Sequence, residues 1–284
     1  LKLKKIITIT AVTVISVLLI YGFILISQIF SANTKFEEKE VFVYIPTDSD
    51  YASVEKIVAP YIENLESFKS VAEKKSYVTN VKAGKFLLKK GMNNNNLINS
   101  LRQPLETKIA FNNQERLEDF AGRIGSQIEA DSTSLMKAFT DKEFLDENGF
   151  TEENVLSMFI PNSYDFFWNT SAEKFRDRMA KEYRKFWNDD RKAKAEAQNL
   201  TPLQVSALAS IVHKETVKTD ERPRVAGVYL NRLKTGMKLE ADPTVIYAVK
   251  KSENDFDRVI KRVLYKDLET VSPYNTYRNF GLPP

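Results

Sequence analysis

The chemistry available to this chain is that of carboxyl, hydroxyl and amide groups. The 284 residues include no cysteine and one histidine, which excludes disulfides and thiolate metal sites and leaves little for a zinc site. Glu215 is the most notable carboxyl residue, because it extends an apolar stripe of Leu208, Ile211 and Val212 at helical spacing. We expect it to lie against apolar neighbours, which disfavour the anion and let the group hold a proton as a general acid.

Glu215 could instead stabilise the fold through an ion pair, and the helical periodicity by itself favours this interpretation. Arg222, Arg224 and Arg232 follow it in the sequence, and an ion pair with one of them would need no chemistry. His213 has no second histidine or cysteine as a partner, so we interpret it as a surface residue and predict no metal site.

A helix must position Glu215. Thr201 and Pro202 are a strong helix start, with threonine as the N-cap and proline in the first helical position. Helices dominate the second half of the chain, and the charged stretch over 171–198 is predicted to be a long solvated helix with one buried aromatic stripe.

Two strand and helix units come before this helical part. Residues 41–45 alternate in polarity and predict a strand, and the apolar spacing over 54–62 predicts a helix. A second strand is predicted over 82–88 and a second helix through 97–101. Residues 41–104 are therefore expected to form a small α+β module.

A larger domain is expected over 105–284. A strand over 105–111 and a helix over 116–128 open it. No linker rich in glycine and serine separates it from the module, so the two should be closely joined.

Residues 1–30 are predicted to form a short cytoplasmic N-terminus and a transmembrane anchor. Every residue from 6 to 30 is uncharged, and a helix of this length crosses the ~30 Å hydrocarbon core. Lys2, Lys4 and Lys5 come before it and a mostly acidic stretch follows, which places the short N-terminus in the cytoplasm. A cleaved signal peptide is the alternative, but its apolar region would be shorter. The first residue is leucine, so we expect that the natural start lies elsewhere.

The charge balance argues against nucleic acid as a partner. Lysine and arginine number 42 against 38 aspartate and glutamate residues, and three of the lysines come before the anchor. The rest of the chain is close to neutral, whereas a duplex-binding protein needs a basic face that neutralises several phosphates.

Several short strings, in order, resemble the MltG or YceG-like family of endolytic murein transglycosylases. They are LASIVHKET (208–216), VAGVYLNRL (225–233), GMKL (236–239), ADPTVIY (241–247), SPYNTY (272–277) and GLPP (281–284). Upstream, MFIPNSY (158–164) is similar to a further family segment. The resemblance covers nearly the whole chain.

The resemblance implies an α+β architecture with three parts. These are an N-terminal transmembrane helix, a small LysM-like module over 41–104 and a larger, mostly helical YceG-like catalytic domain over 105–284. Family members continue past GLPP, so the catalytic domain is expected to be incomplete at its C-terminus. The implied location is the bacterial cytoplasmic (inner) membrane, with a single pass and an extracytoplasmic catalytic domain.

The resemblance also implies a site. Glu215 falls on the catalytic glutamate, while His213 occupies a position that is acidic in the family. Asp242, Tyr274, Asn275 and Tyr277 fall on motifs expected near the cleft, where they would bind substrate or support Glu215. From the residues alone, Asp242 is as well explained by a turn before a proline, and the tyrosines by packing in the core.

The implied substrate is the glycan strand of peptidoglycan. Cleavage of the β-1,4 bond between N-acetylmuramic acid and N-acetylglucosamine would leave 1,6-anhydro ends, with no metal or organic cofactor. Wall-synthesis proteins are candidate partners. Two alternatives stay open: a hydrolysing muramidase with Asp242 as second carboxylate, and a membrane-anchored glycan-binding scaffold without activity.

Overall fold

The computed structural model describes residues 2–284, apart from the side chains of Lys2, Leu3, Lys4, Ile6 and Leu25. The strands are β1 (Glu40–Ile45), β2 (Gly84–Lys89), β3 (Glu106–Phe111) and β4 (Asn162–Phe167). The helices are α1 (Lys2–Phe30), α2 (Tyr51–Val58), α3 (Leu65–Lys74), α4 (Asn94–Ser100), α5 (Leu117–Gly125), α6 (Ser132–Phe139), α7 (Lys142–Asn148), α8 (Ala172–Phe186), α9 (Asp189–Glu196), α10 (Pro202–Glu215), α11 (Arg222–Lys234), α12 (Asp242–Glu253) and α13 (Tyr265–Leu268). This mixture confirms the α+β class.

The chain divides into two compact units. One consists of Leu1–Leu135 with Pro161–Ala172, and the other of Met136–Ile160 with Glu173–Pro284. The first unit therefore extends beyond the module predicted over 41–104. The reason is that Leu105 bridges to Lys85 of β2, so the chain enters β3 without leaving the unit.

The first unit is built on an antiparallel pair of β1 and β2, in which Val43 lies opposite Phe86. Both predicted strands are confirmed. The helix predicted over 54–62 ends at Val58, because Pro60 lacks the N–H that a longer helix needs and the chain forms a 3-10 turn over Ala59–Tyr61. Helix α3, which the sequence analysis did not predict, packs with α4 to complete this core.

Strand β3 pairs with β4 in a second antiparallel sheet, with Ile109 opposite Tyr164. The sequence predicted β3 but not β4, which lies about fifty residues further along the chain. The sequence of β4 gives a weak strand signal, because only Tyr164 and Phe166 are buried on one face. Its distance from β3 adds no local signal for the pairing.

Helix α1 contains an apolar segment, Ile7–Phe30, of 24 residues with a mean hydropathy of 2.6. By length and composition it could cross a membrane, since 24 helical residues extend about 36 Å. Its C-terminal end is attached to the rest of the unit through buried amides. Asn94 Nδ2 donates to Gln28 O at 2.7 Å, and Asn33 Nδ2 donates to Asn94 Oδ1 at 2.6 Å.

The second unit is mostly helical, as predicted. The charged stretch over 171–198 forms two helices, α8 and α9, rather than one. The break between the two helices lies at Asn188, because its side chain accepts from Arg191 N at 3.0 Å and caps the start of α9. Helices α10, α11 and α12 then pack together and carry the candidate site.

Candidate active site

Helix α10 presents Glu215 as its last residue. The helix starts where the sequence predicts, with a reciprocal capping box: Gln204 N donates to Thr201 Oγ1 at 3.2 Å, and Thr201 N donates to Gln204 Oε1 at 2.8 Å. The next residue, Thr216, is extended, and its hydroxyl donates to Glu221 Oε2 at 2.8 Å. The backbone that follows Glu215 is therefore held in place by this hydrogen bond.

A small apolar core holds the elements of the site together. Buried residues of α10, α11 and the segment before α12 form it: Leu208, Ile211, Val212, Tyr229, Leu239 and Ala241. Moving the backbone of a buried core disrupts its packing, so the side chains at its edge have defined positions.

Glu215 is exposed, which corrects the expectation that its carboxyl lies against apolar neighbours. Leu208, Ile211 and Val212 are buried as predicted, but the helix ends at Glu215 and no further turn of apolar residues covers it. The carboxyl is thus accessible to a ligand from solvent.

Tyr229 is the buried partner of Glu215. Its ring is 6% exposed and belongs to the apolar core. Burial raises the pKa of the Tyr229 hydroxyl, and the charge of the Glu215 carboxylate and its hydrogen bond with that hydroxyl raise it further. Tyr229 therefore stays a neutral donor beside the Glu215 carboxylate at physiological pH.

Asp242 and Tyr277 form a second polar pair. Asp242 is exposed in the first turn of α12, where the helix dipole favours a negative charge. Tyr277 donates its hydroxyl proton to Asp242 Oδ1 at 2.8 Å. Burial, this hydrogen bond and the nearby Asp242 charge raise the pKa of Tyr277 to about 12, with further contributions from the Glu240 and Glu215 charges.

The two pairs belong to one cluster. The charge of Glu215 acts on the hydroxyl groups of both Tyr229 and Tyr277, and so does the charge of Asp242. Two carboxylates and two phenols, contributed by α10, α11, α12 and the C-terminal segment, therefore lie within electrostatic range of one another in the second unit.

Buried threonines fix Asp242 to the C-terminal segment. Thr276 Oγ1 accepts from Ala241 N at 3.0 Å and lies 2.8 Å from Thr244 Oγ1. Glu240 precedes them in a left-handed conformation (φ +48°), and its N–H donates to Thr276 O at 3.2 Å. These bonds hold the start of α12 beside the loop that carries Tyr277.

Asn275 supports this loop from within. It is fully buried, and its Nδ2 donates to Leu268 O at 2.9 Å and to Thr270 O at 2.8 Å. Its Oδ1 accepts from Tyr277 N at 3.0 Å. Of the two roles expected for Asn275, the geometry supports positioning rather than contact with a ligand.

Tyr274 lies in different surroundings. Its ring is 8% exposed and packs on Tyr247, with centroids 4.7 Å apart, while Lys251 Nζ donates to its hydroxyl at 3.2 Å. It lines a cavity of about 580 Å³ together with Lys251 and Glu153. The structure thus brings together Glu215, Asp242 and Tyr277, and gives Tyr274 a packing role.

Two of the three arginines proposed as structural partners, Arg222 and Arg232, have contacts with other residues. Arg222 Nη2 lies 3.2 Å from Nδ1 of the exposed His213, and Arg232 Nη1 lies 3.4 Å from Glu240 Oε2. Within residues 2–284, Glu215 is in no ion pair with an arginine. No group of three potential metal-ligating side chains is present among the described residues.

Sequence reasoning missed Tyr229, Thr244 and Thr276. Tyr229 follows Val225 by one helical turn on the inner face of α11. The helical spacing of these two residues could therefore have predicted that Tyr229 is buried. The threonine contact joins residues 32 apart and has no local pattern.

The fold and the site together define a class. The sequence model of the YceG-like family matches residues 43–284, and this chain belongs to that family. A YceG-like protein from Listeria monocytogenes, known from a 2.6 Å crystal structure, is similar in fold, with a TM-score of 0.55 and 25% identity over 87% of this chain and 85% of that one.

Two curated relatives carry an activity in their names. An endolytic murein transglycosylase of Bacillus subtilis is 26% identical over 264 residues, which cover 86% of this chain and 71% of the relative. An endolytic murein transglycosylase of Streptococcus pneumoniae is 25% identical over 284 residues, covering 89% of this chain. The match spans half the length of the streptococcal relative.

Proposed function

We propose that this chain is an endolytic murein transglycosylase, and that Glu215 is its catalytic acid and base. The observation that carries the proposal is that the chain belongs to the YceG-like family and has an accessible carboxyl, Glu215, whose charge acts on both tyrosines of the polar cluster. The curated relatives bear the name of this activity.

In the proposed reaction Glu215 first acts as an acid. It gives its proton to the oxygen that links N-acetylmuramic acid to the next N-acetylglucosamine, and the C1–O bond breaks as positive charge develops on the muramoyl ring. The carboxylate then takes the proton of the C6 hydroxyl as O6 bonds to C1. The products are a 1,6-anhydro end and a free 4-hydroxyl, with no water consumed.

Tyr229 and Asp242 have separate tasks in this scheme. The Tyr229 phenol donates to the Glu215 carboxylate after the first proton transfer, which keeps it oriented for the second. We assign the stabilisation of the cationic ring to the charge of the Asp242 carboxylate, which Tyr277 holds through a hydrogen bond. Neither task requires a metal or an organic cofactor.

The proposed location is the outer side of the cytoplasmic membrane, with α1 as a single-pass anchor. The apolar Ile7–Phe30 segment and the lysines before it support this assignment. Attachment of the end of α1 to Asn94 would keep the first unit at the membrane surface. Proteins of wall synthesis are the partners that this location favours.

A hydrolysing muramidase is the second candidate, and one observation favours it. Asp242 and Glu215 act on the same pair of phenols, so a second carboxylate is available within the cluster to activate a water. In that reaction Glu215 would remain the acid and Asp242 would become the base.

Mass spectrometry of the fragments released from purified peptidoglycan tests the proposal. We expect 1,6-anhydro ends from the parent protein and none from Glu215→Gln. Fragments heavier by one water would establish the muramidase, and the absence of fragments from both proteins would refute the enzymatic assignment.

A further inference from the structure

Arg222 carries a charge that no neighbouring carboxylate balances. It is the first residue of α11, and its side chain is half-buried. Its Nε is buried without a hydrogen-bond partner, and its guanidinium is in no ion pair with a carboxylate of the described residues. Buried donors and half-buried charges normally have partners, because removing them from water costs free energy. The fold therefore leaves part of the binding capacity of Arg222 unused.

The side chain of Arg222 contacts His213. Arg222 Nη2 lies 3.2 Å from His213 Nδ1, and His213 is exposed in the last turn of α10. A guanidinium can only donate, so this hydrogen bond needs Nδ1 as the acceptor and a neutral imidazole. The contact holds the end of the guanidinium beside an exposed ring and adds no negative charge.

The other charges of this turn are engaged or exposed. Glu221 uses both carboxylate oxygens, one to accept from Thr216 Oγ1 at 2.8 Å and one to pair with Lys218 Nζ at 3.1 Å. Glu215 has its hydrogen bond with Tyr229. Residues 213–224 contain four cationic side chains and three carboxylates: Lys214, Lys218, Arg222 and Arg224 against Glu215, Asp220 and Glu221. The turn between α10 and α11 is therefore slightly positive.

Arg222 lies on the same side of α11 as the tyrosine that contacts Glu215. Tyr229 follows it by two helical turns, or about 10 Å along the helix axis. Residues at this spacing share a face of the helix. His213 lies on α10, shortly before Glu215. A ligand that extends from Glu215 towards the start of α11 therefore reaches Arg222.

We propose that Arg222, with His213 beside it, binds a carboxylate of the substrate at the junction of α10 and α11. The identity of the ligand rests on the proposed function; the unbalanced charge of Arg222 does not. The planar guanidinium presents N–H donors in a fork that matches the two oxygens of a carboxylate. A carboxylate also supplies the negative charge that the neighbours of Arg222 do not.

Peptidoglycan carries carboxylates in two places, and the site recognises the group that they share. One is the lactyl group of an N-acetylmuramic acid without a peptide stem, and the other is the stem itself. Arg222 touches none of the reacting atoms in the proposed reaction, so it contributes to binding. Its loss should raise KM and leave kcat close to the parent value.

The test measures binding of soluble glycan strands to the full chain in detergent, with Glu215→Gln so that the strands stay intact. We expect Arg222→Gln to raise the Kd about tenfold or more, because a hydrogen-bonded charge pair is lost. Arg224→Gln is the matched control. It removes the same charge from an exposed side chain of the same helix and should bind as the parent does. Equal melting temperatures of the two variants exclude loss of the fold.

Three preparations of the strands separate the two sources of the carboxylate. They are strands with peptide stems, stem-free strands, and stem-free strands whose lactyl groups are methyl esters. An effect of Arg222→Gln on stem-free strands assigns the lactyl carboxylate, and an effect on strands with stems alone assigns the stem. Esterified strands should bind the parent and Arg222→Gln equally. An equal loss on esterified strands, or no loss on any preparation, would overturn the site.

His213→Glu tests the same site without removing Arg222. It places a carboxylate against the guanidinium, which the ligand must then displace, so we expect weaker binding of strands that carry carboxylates. Thr219→Glu adds the same charge at an exposed residue of the turn and should weaken binding less. Equal effects of the two would show general repulsion and overturn the role of Arg222. This comparison also holds if Arg222→Gln does not fold.

The outcomes are distinguishable from those of the proposed function, because cleavage is measured on the protein that keeps Glu215. If this protein does not cleave while binding still requires Arg222, the proposed function fails and the carboxylate site stands. If it cleaves and Arg222→Gln has an unchanged KM, the site fails and the proposed function stands.

Discussion

Replacing Glu215 by glutamine should abolish strand cleavage without affecting the fold. The amide has the same shape but can neither give nor take the proton. Each role of a general acid or base is worth about 10² to 10⁴-fold in rate, so loss of both should reduce cleavage below detection.

The cost to stability follows from the position of Glu215. It is exposed, has no arginine partner within residues 2–284, and is the last residue of α10. Removing a negative charge from a helix C-terminus stabilises the helix by about 0.3–1 kcal/mol. Weakening the hydrogen bond with Tyr229 costs about 0.5–1.5 kcal/mol, so the two effects nearly cancel. For a chain of this size 1 kcal/mol corresponds to roughly 2–4 °C.

The assay compares cleavage and melting on the same preparation. We expect no 1,6-anhydro product and a melting temperature within about 4 °C of the parent. A structural Glu215 in a buried ion pair would instead cost ~3–5 kcal/mol. A variant that melts normally and still cleaves would refute the reasoning, and Asp242 would be the next carboxyl to replace.

Three further predictions concern the supports of the site and the anchor. Asn275→Ala should destabilise the second unit by about 2–4 kcal/mol, since the carbonyls of Leu268 and Thr270 lose their buried donor; urea unfolding measures this, and an unchanged midpoint would contradict it. Tyr277 has a raised pKa of about 12, so its contribution to stability is complete below pH ~10, the unfolded value, and is lost as pH rises through 12. Tyr277→Phe should therefore show a shallower alkaline decline than the parent, and parallel curves would argue against the pair with Asp242. Protease added to spheroplasts should digest everything beyond α1, whereas protection behind an intact membrane would overturn the topology.

Local interactions made part of this structure predictable from the sequence. Helix α10 begins at Pro202 because Thr201 and Gln204 cap it reciprocally, a bond between residues three apart. Strand β1 was identified from its alternating polarity, since it buries one face. The family resemblance rested on short strings whose order along the chain is itself sequence information.

Helix ends were predicted less well, because single polar or cyclic residues decide them. Asn188 divides the charged stretch into α8 and α9, and Pro60 shortens α2. The prediction for Glu215 was wrong for a similar reason. The apolar stripe of α10 predicted that the Glu215 side chain is buried, but the helix ends at this residue and no further turn covers the carboxyl.

Tertiary structure alone decided which side chains meet. Strand β4 pairs with β3 across about fifty residues, and Thr276 reaches Thr244 across 32. Glu215, Tyr229, Asp242 and Tyr277 are distributed over more than sixty residues, and nothing in their local sequence fixes their separation. Their separation is fixed by the packing of α10, α11 and α12 on one apolar core. Hydrophobic burial depends on which surfaces come together in space and not on how far apart they lie in the sequence.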